Sequence, residues 1–502
     1  MTNEKTADDT ANVSDGPPRL GEGTTGEGHF DTGSASYPYR VSADWLDLID
    51  EDREPTASMF YTSYTLGDSV DAQRPLTFLF NGGPGAASAF LHLGAAGPLR
   101  VRFEDDGTVP AGPVQLVPNA ESWLPTTDLV CIDPVGAGFS RALPPKKGKD
   151  ETGSAEPGAE SKTKKAGEAF WEVGKDLESL AAFISRYLSL TGRWLSPIYL
   201  AGESYGGYRV ARLAKILQGS RGIGLAGVVL LSPAIEFDGL MGNDYDLTHW
   251  VETFPAMAAA AHCHGRAGSG LTLESHLEAA EAFAEGDLLR LLVRGEALEA
   301  AERARIVESM ASLIGLPTET IAAKGGRIGR EAFCRALLAD QQRYLGHHDA
   351  SVTGVDPFPD RETHGGPDPV LDGQSPLFTM GINAYLRTTL GVKTDLDYDL
   401  LSMVAHMSWK HSEPHIFDME LAAMDDLRYG MALNPSMKVL LCYGYYDLVT
   451  PYYEARRLTR LMKLTDEQKT KLETRYFVGG HMFYARHESR AKLAEVIAQV
   501  CA

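Results

Sequence analysis

Ser204 sits at the centre of Gly202-Glu203-Ser204-Tyr205-Gly206, between the apolar run Ile198–Ala201 and a stretch with Val210, Leu213, Ala214 and Leu217 at helical spacing. A strand that breaks sharply into a helix at a serine makes a nucleophile elbow, which lifts the hydroxyl above a sheet. Small flanking residues are needed because backbone meets backbone in so tight a turn. The helix N-terminus behind the serine favours developing negative charge. A hydroxyl attacks only when a base removes its proton, and that base needs an orienting acid. In the chain order serine, acid, histidine, both partners lie downstream at strand ends. Asp447 closely follows the run Lys438–Cys442, and His481 follows Arg475–Val478 after two glycines. The plainer alternatives are a helix cap before Pro451 for Asp447 and a loop histidine for His481.

Acyl transfer also requires donors aimed at the oxyanion, and losing one typically costs ~2.7–4 kcal/mol of barrier stabilisation. The N–H of Tyr205 is one candidate. The other lies in Asn81-Gly82-Gly83-Pro84-Gly85, just after the run Leu76–Phe80, where glycines let backbone approach a reacting carbonyl.

These residues need a scaffold that gathers strand ends. Short β-rich runs at Leu76–Phe80, Leu129–Ile132, Ile198–Ala201, Gly227–Leu231, Lys438–Cys442 and Arg475–Val478 alternate with helical stretches. That alternation predicts an α/β fold with a mostly parallel central sheet flanked by helices, and ligands collect at the C-terminal strand ends of such sheets. Between 239 and 392 apolar residues recur at helical spacing without a convincing strand, which predicts an inserted helical cap. The expected organisation is a disordered arm over 1–34, a first core segment over 35–238 with a mobile loop at 144–165, the cap over 239–392, and a second core segment over 393–502.

Acidic residues outnumber basic ones by 68 to 47, a balance that argues against a nucleic-acid partner. No apolar stretch approaches the ~20 residues needed to span a bilayer, so no membrane partner is expected. Five scattered cysteines in a chain of 502 residues read as reduced thiols. The adjacent residues His262, Cys263 and His264 cannot converge on one ion from a regular element, and neither metal nor organic cofactor is expected. The N-terminus carries no apolar stretch after a basic start, which points to the cytoplasm.

Four motifs stand in order: Asn81 to Gly85, Asp133-Pro134-Val135-Gly136-Ala137-Gly138-Phe139-Ser140, Gly202 to Gly207, and Gly480-His481-Met482. Together they resemble the serine carboxypeptidase family of the α/β-hydrolase fold, in a bacterial-type form without the usual leader or disulfides. The resemblance implies a triad of Ser204, Asp447 and His481 and an oxyanion hole from the N–H groups of Gly83 and Tyr205. It also implies that Asn81 and Glu203 hold a substrate's terminal carboxylate, which requires Glu203 to be protonated. The alternative role for Glu203 is to stiffen the elbow. The sequence departs from the family at Ala95, where a second glutamate is usual, and at Ala86, where a disulfide cysteine is common. His92 and Arg100 are the nearest replacements for that glutamate. The implied reaction is hydrolysis of C-terminal peptide bonds through an acyl-enzyme, with a peptide as partner. An acyltransferase or esterase using the same triad, and a catalytically silent hydrolase-fold binding protein, stay open as alternatives. Oligomeric state, a homodimer included, is left open.

Overall fold

Six runs rich in Val, Leu, Ile and Phe lie side by side in the computed structural model, which describes residues 20–31, 36–67, 69–144, 167–240, 242–361, 363–410 and 422–501. In chain order the main-sheet strands are β1 (Thr24–Asp31), β2 (Ser36–Ile49), β3 (Pro55–Leu66) and β4 (Leu76–Phe80). A small ribbon of β5 (Leu99–Val101) and β6 (Leu116–Pro118) follows, then β7 (Asp128–Ile132) and a short β8 (Arg141–Ala142). Next come β9 (Ile198–Glu203), β10 (Gly227–Leu231), a second ribbon of β11 (Arg343–Leu345) and β12 (Thr353–Val355), and finally β13 (Lys438–Gly444) and β14 (Leu472–Phe477). The sheet runs β1-β2-β3-β7-β4-β9-β10-β13-β14, with every pair from β7 onward parallel.

Every residue of β4, β7, β9 and β10 is buried, because helices cover both faces of the sheet, so these strands read as unbroken apolar runs. Alternate side chains then feed two separate cores. Phe78, Phe80, Val130, Ile132 and Leu200 pack toward helices Val173–Thr191 and Tyr205–Ser220. Leu79, Leu129, Cys131, Ala201 and Leu440 face the other way, in the core that holds Leu493, Ile497 and Val500 of helix His487–Cys501. Helix Val173–Thr191 stops at Gly192, whose φ of 70° supplies the left-handed C-terminal turn.

The antiparallel meander β1-β2-β3 was not among the expected strands. Its burial alternates residue by residue in β2, the signature of a half-exposed sheet rather than an apolar run. This corrects the reading of 1–34 as a disordered arm. Residues 24–31 pair in register with 36–43, while 1–19 and 32–34 lie outside the described residues. Composition misled because the glycines there serve a partner. A Cβ on Gly28 would lie 2.5 Å from the Tyr39 ring, so glycine leaves room for that tyrosine to lie across the strand. Phe30 is 1% exposed and stacks on Tyr37, with ring centroids 5.9 Å apart.

Between β10 and β13 the chain is mainly helical. Helices Thr248–Cys263, Leu273–Phe283 and Ala300–Ile314 share one core with the sheet. The expectation of no strand in this insertion is corrected by the ribbon β11–β12. Three-residue strands fall below what sequence periodicity resolves. Helices continue past 392, at Met403–Met407 and Met424–Leu433, before the sheet resumes at Lys438. Residues 399–401 also clamp onto two core loops through bridges from Leu401 to Ala86 and from Asp399 to Gly138. The loop expected to be mobile, 144–165, lies outside the described residues from 145 on.

Because Phe30 anchors β1 from a closed position, Phe30→Ala is expected to lower the unfolding free energy by about 3 kcal/mol in denaturant titration. An unchanged midpoint would mean that β1 contributes nothing to the core.

Candidate active site

Ser204 ends β9 in a conformation that few side chains adopt, with φ 60° and ψ −126°. Such a backbone costs about 1–3 kcal/mol and persists only where its surroundings over-determine it. Here the Ser204 N–H donates to Leu231 O at 3.0 Å, and Ser204 O accepts from Gly207 and Ala234. The flanking glycines are sterically required. A Cβ on Gly202 would meet Gly206 O at 2.1 Å, and one on Gly206 would meet Phe80 O at 2.6 Å.

Asp447 follows β13 and His481 follows β14, with β10 between these strands and β9. Asp447 Oδ2 accepts from His481 Nδ1 at 2.6 Å and from the Thr450 hydroxyl at 2.7 Å. Its Oδ1 accepts from the N–H groups of Val449 and Thr450. With Nδ1 as the donor, Nε2 is left as the basic nitrogen. Burial works against an imidazolium at His481, but the charge and hydrogen bond of Asp447 outweigh it, and its pKa is raised above the ordinary value. Ser232, at the end of β10, completes the ring: its hydroxyl donates to His481 O at 2.8 Å, and its carbonyl lies 3.0 Å from Thr450 Oγ1, whose one proton points to the nearer Asp447 oxygen.

The loop after β4 presses against the elbow backbone to backbone. A Cβ on Gly82 would lie 2.4 Å from Tyr205 N and 2.8 Å from Glu203 O. Among the described residues, the N–H groups of Gly83 and Tyr205 donate to no acceptor, so both are free for an oxyanion. Glu203 is 2% exposed. Its Oε2 accepts from Asn81 Nδ2 and from the Tyr484 hydroxyl at 2.8 Å, while its buried Oε1 has no partner. Burial raises the Glu203 pKa to about 7, against the pull of His481 and of its two donors.

Two buried anchors hold the loop after β4. Arg209, fully buried on the elbow helix, donates to Asn81 O at 2.6 Å and pairs through two nitrogens with Asp176. Asp133, at the end of β7, accepts from the N–H and the hydroxyl of Ser88, and from Tyr398. That contact explains the motif beginning at Asp133: it fixes the far end of the loop that carries Gly83.

Asn81, Gly82, Gly83, Glu203, Ser204 and His481 line one cavity of about 310 Å³. Asp447 lies behind His481. The expected residues are therefore brought together, with two exceptions. Neither His92 nor Arg100 reaches the cavity in place of the missing glutamate. His92 is buried elsewhere, hydrogen-bonded to Tyr64 OH at 2.7 Å, and burial lowers its pKa to about 3. Arg100 is half-buried, with its guanidinium on Val101 O. Ala95 is fully buried in the turn His92–Ala96. A wider hollow of about 470 Å³ among the insertion helices is lined by residues such as Leu291, Arg303 and Val307 and by none of the expected site residues.

Sequence reasoning missed the walls of the cavity: Phe90, His348, Leu371, Leu401, Met403 and His406. All of these but Phe90 lie between β10 and β13, far from the site motifs in sequence, and no local pattern flags them. Thr450 could have been found, since a threonine three residues after an aspartate can turn back onto its carboxylate. Arg209 and Asp176 carried a weaker signal, as charges on otherwise apolar helix faces.

A parallel sheet with a strained serine elbow, and an acid and a histidine at its later strand ends, defines an α/β-hydrolase. Comparison with known proteins then gives its relatives: residues 40–262 match the family model for serine carboxypeptidase, and over that stretch the chain is related to those proteins. It is 26% identical over 217 residues to serine carboxypeptidase-like 13 of Arabidopsis thaliana, covering 42% of this chain and 44% of that protein. It is 30% identical over 171 residues to pheromone-processing carboxypeptidase KEX1 of Saccharomyces cerevisiae, covering 34% and 20%. The matched stretch thus spans less than half of these relatives, and the family match stops short of Asp447 and His481. Among solved structures, proline iminopeptidase from Mycobacterium smegmatis aligns over 95% of this chain and 99% of its own, at 14% identity and a TM-score of 0.35.

Removing Arg209 leaves Asp176 buried and unpaired, so Arg209→Met is expected to cost about 3–5 kcal/mol of stability. Adding Asp176→Leu is expected to restore most of the loss in thermal unfolding. Labelling of Ser204 by a serine-reactive fluorophosphonate should stay slow in the double variant, because Asn81 O has lost its donor. Restored labelling would show that the pair serves stability alone.

Proposed function

We propose that the protein is a serine-type carboxypeptidase that hydrolyses C-terminal peptide bonds through an acyl-enzyme. One observation carries this reading: the elbow serine, the His481–Asp447 pair and a buried carboxyl with a free oxygen meet at a single cavity. Ser204 Oγ attacks the scissile carbonyl while His481 Nε2 takes its proton. The N–H groups of Gly83 and Tyr205 receive the oxyanion. His481 then protonates the leaving amine, and Asp447 stabilises the imidazolium formed in between. Water then attacks the acyl carbonyl as His481 takes its proton, and His481 returns that proton to Ser204 Oγ as the ester bond breaks and the acyl group leaves as a free acid.

Carboxypeptidase polarity rests on Asn81 and Glu203. A carboxyl group binds another carboxylate only when one of the two is protonated, and burial keeps the Glu203 proton in place up to about pH 7. The names of the related serine carboxypeptidases support the same substrate class.

Ser204→Ala is expected to abolish sequential loss of C-terminal residues, followed by mass spectrometry of a peptide mixture. Asp447→Asn should lower kcat by about 10⁴ through the wrong imidazole tautomer. Release at wild-type rates in purified Ser204→Ala would overturn the reading. The productive state needs His481 neutral and Glu203 protonated, so kcat/KM for a free-acid peptide should be bell-shaped with its maximum close to neutrality. A peptide blocked as its C-terminal amide should be cleaved more slowly and should lack the alkaline limb assigned to Glu203.

A further inference from the structure

Tyr484 lies three residues beyond His481 in the short helical turn Phe483–Ala485, and it is fully buried. Its ring fills the space above the stretch where the family's second glutamate is replaced by Ala95. A Cβ on neighbouring Gly94 would lie 2.6 Å from Tyr484 Cε2. Its hydroxyl donates to Glu203 Oε2 at 2.8 Å, alongside Asn81 Nδ2, and Glu203 Oε1 is left buried without a partner. An oxygen that already receives two donors cannot also carry a proton without losing one of them.

We propose that Tyr484 is a positioning residue that decides where Glu203 carries its proton: by occupying Oε2 together with Asn81, it leaves Oε1–H as the donor offered to the substrate carboxylate. This rests on the reading of Glu203 as the carboxylate-binding group. Two neutral donors facing one acid thus do the work that a second acid would otherwise share. No proton then has to be divided between two carboxyls where the substrate carboxylate would bind.

The charged and titratable groups around Glu203 are few. His481 and the Asp447 behind it act on it with opposite sign. Two more histidines line the same cavity: His406, whose Nδ1 lies 3.2 Å from Pro84 O, and His348, whose pKa burial and then His481 lower to about 4, so that His348 is neutral through the working range. Arg209 and Asp176 pair with each other beneath the Asn81 loop. Tyr484 itself is pushed well above the ordinary phenol range by burial and stays a donor. The Tyr484 hydrogen bond favours the ionised form of Glu203, so weakening it raises the pH at which the carboxyl loses its proton.

The test compares kcat/KM across pH for a free-acid peptide and for its C-terminal amide. In Tyr484→Phe the alkaline limb for the free acid should move up by roughly half to one pH unit, with the amide profile unmoved. A 3-fluorotyrosine placed at 484 is a stronger donor of nearly the same size, and it should move the same limb down. This second variant keeps the test available if Tyr484→Phe fails to fold. An alkaline limb that stays put in either folded variant overturns the role of Tyr484. A wild type that cleaves acid and amide alike, with one pH profile, instead overturns the underlying reading of Glu203.

Discussion

A carboxylate taken wholly out of water must be given back the hydrogen bonds that water supplied. Asp447 is 0% exposed, and it recovers them from the Val449 and Thr450 amides, the Thr450 hydroxyl and the His481 ring. Much of the architecture follows from that constraint. The donors come from the turn after β13 and the loop after β14, and Ser232 ties both to the end of β10. Only adjacent parallel strands bring three such ends within a few ångströms, and β10, β13 and β14 are adjacent and parallel. The anchored histidine lines one cavity with the elbow serine at the end of β9, the next strand along.

The insertion is not a detachable cover. Its turn between β11 and β12 threads between the loops that carry the acid and the histidine. His347 O accepts from Leu448 N, the Ala350 N–H donates to Tyr446 O, and His348 O accepts from His481 N. Asp349 Oδ2 accepts from Gly480 N at 2.9 Å. A Cβ on Gly480 would meet His348 O at 2.1 Å, which is why that loop needs a glycine beside the histidine. The same turn places the His348 ring 5.4 Å from the His481 ring, edge to face. One segment thereby holds the Asp447 and His481 loops together and lines the cavity beside them.

The departures from the family pattern have local structural answers. At Ala86 the backbone takes over a role that a disulfide could play. Ala87 N donates to Leu400 O, Ser402 N donates to Gly85 O, and the segment is held flat against the loop that carries Gly83. At Ala95 the side chain is simply buried, and the polar contact to Glu203 arrives from Tyr484, on a different element.

The sequence by itself determined the six parallel strands and the placement of Ser204, Asp447, His481 and the loop from Asn81 to Gly85. Each depends on a local requirement: an apolar run covered on both faces, a turn that tolerates only glycine, or a polar group just past a strand end. Tertiary structure alone decided the meander at the N-terminal edge, where Gly28 gains its value from Tyr39 on the neighbouring strand. It alone decided that His92 is an interior residue, that His348 is a cavity wall, and that Tyr484 meets Glu203 across 281 positions of chain. Periodicity and turn chemistry report what a residue requires of its immediate neighbours. A hydrogen bond between distant segments is set by how the layers pack, and packing leaves no mark on local spacing.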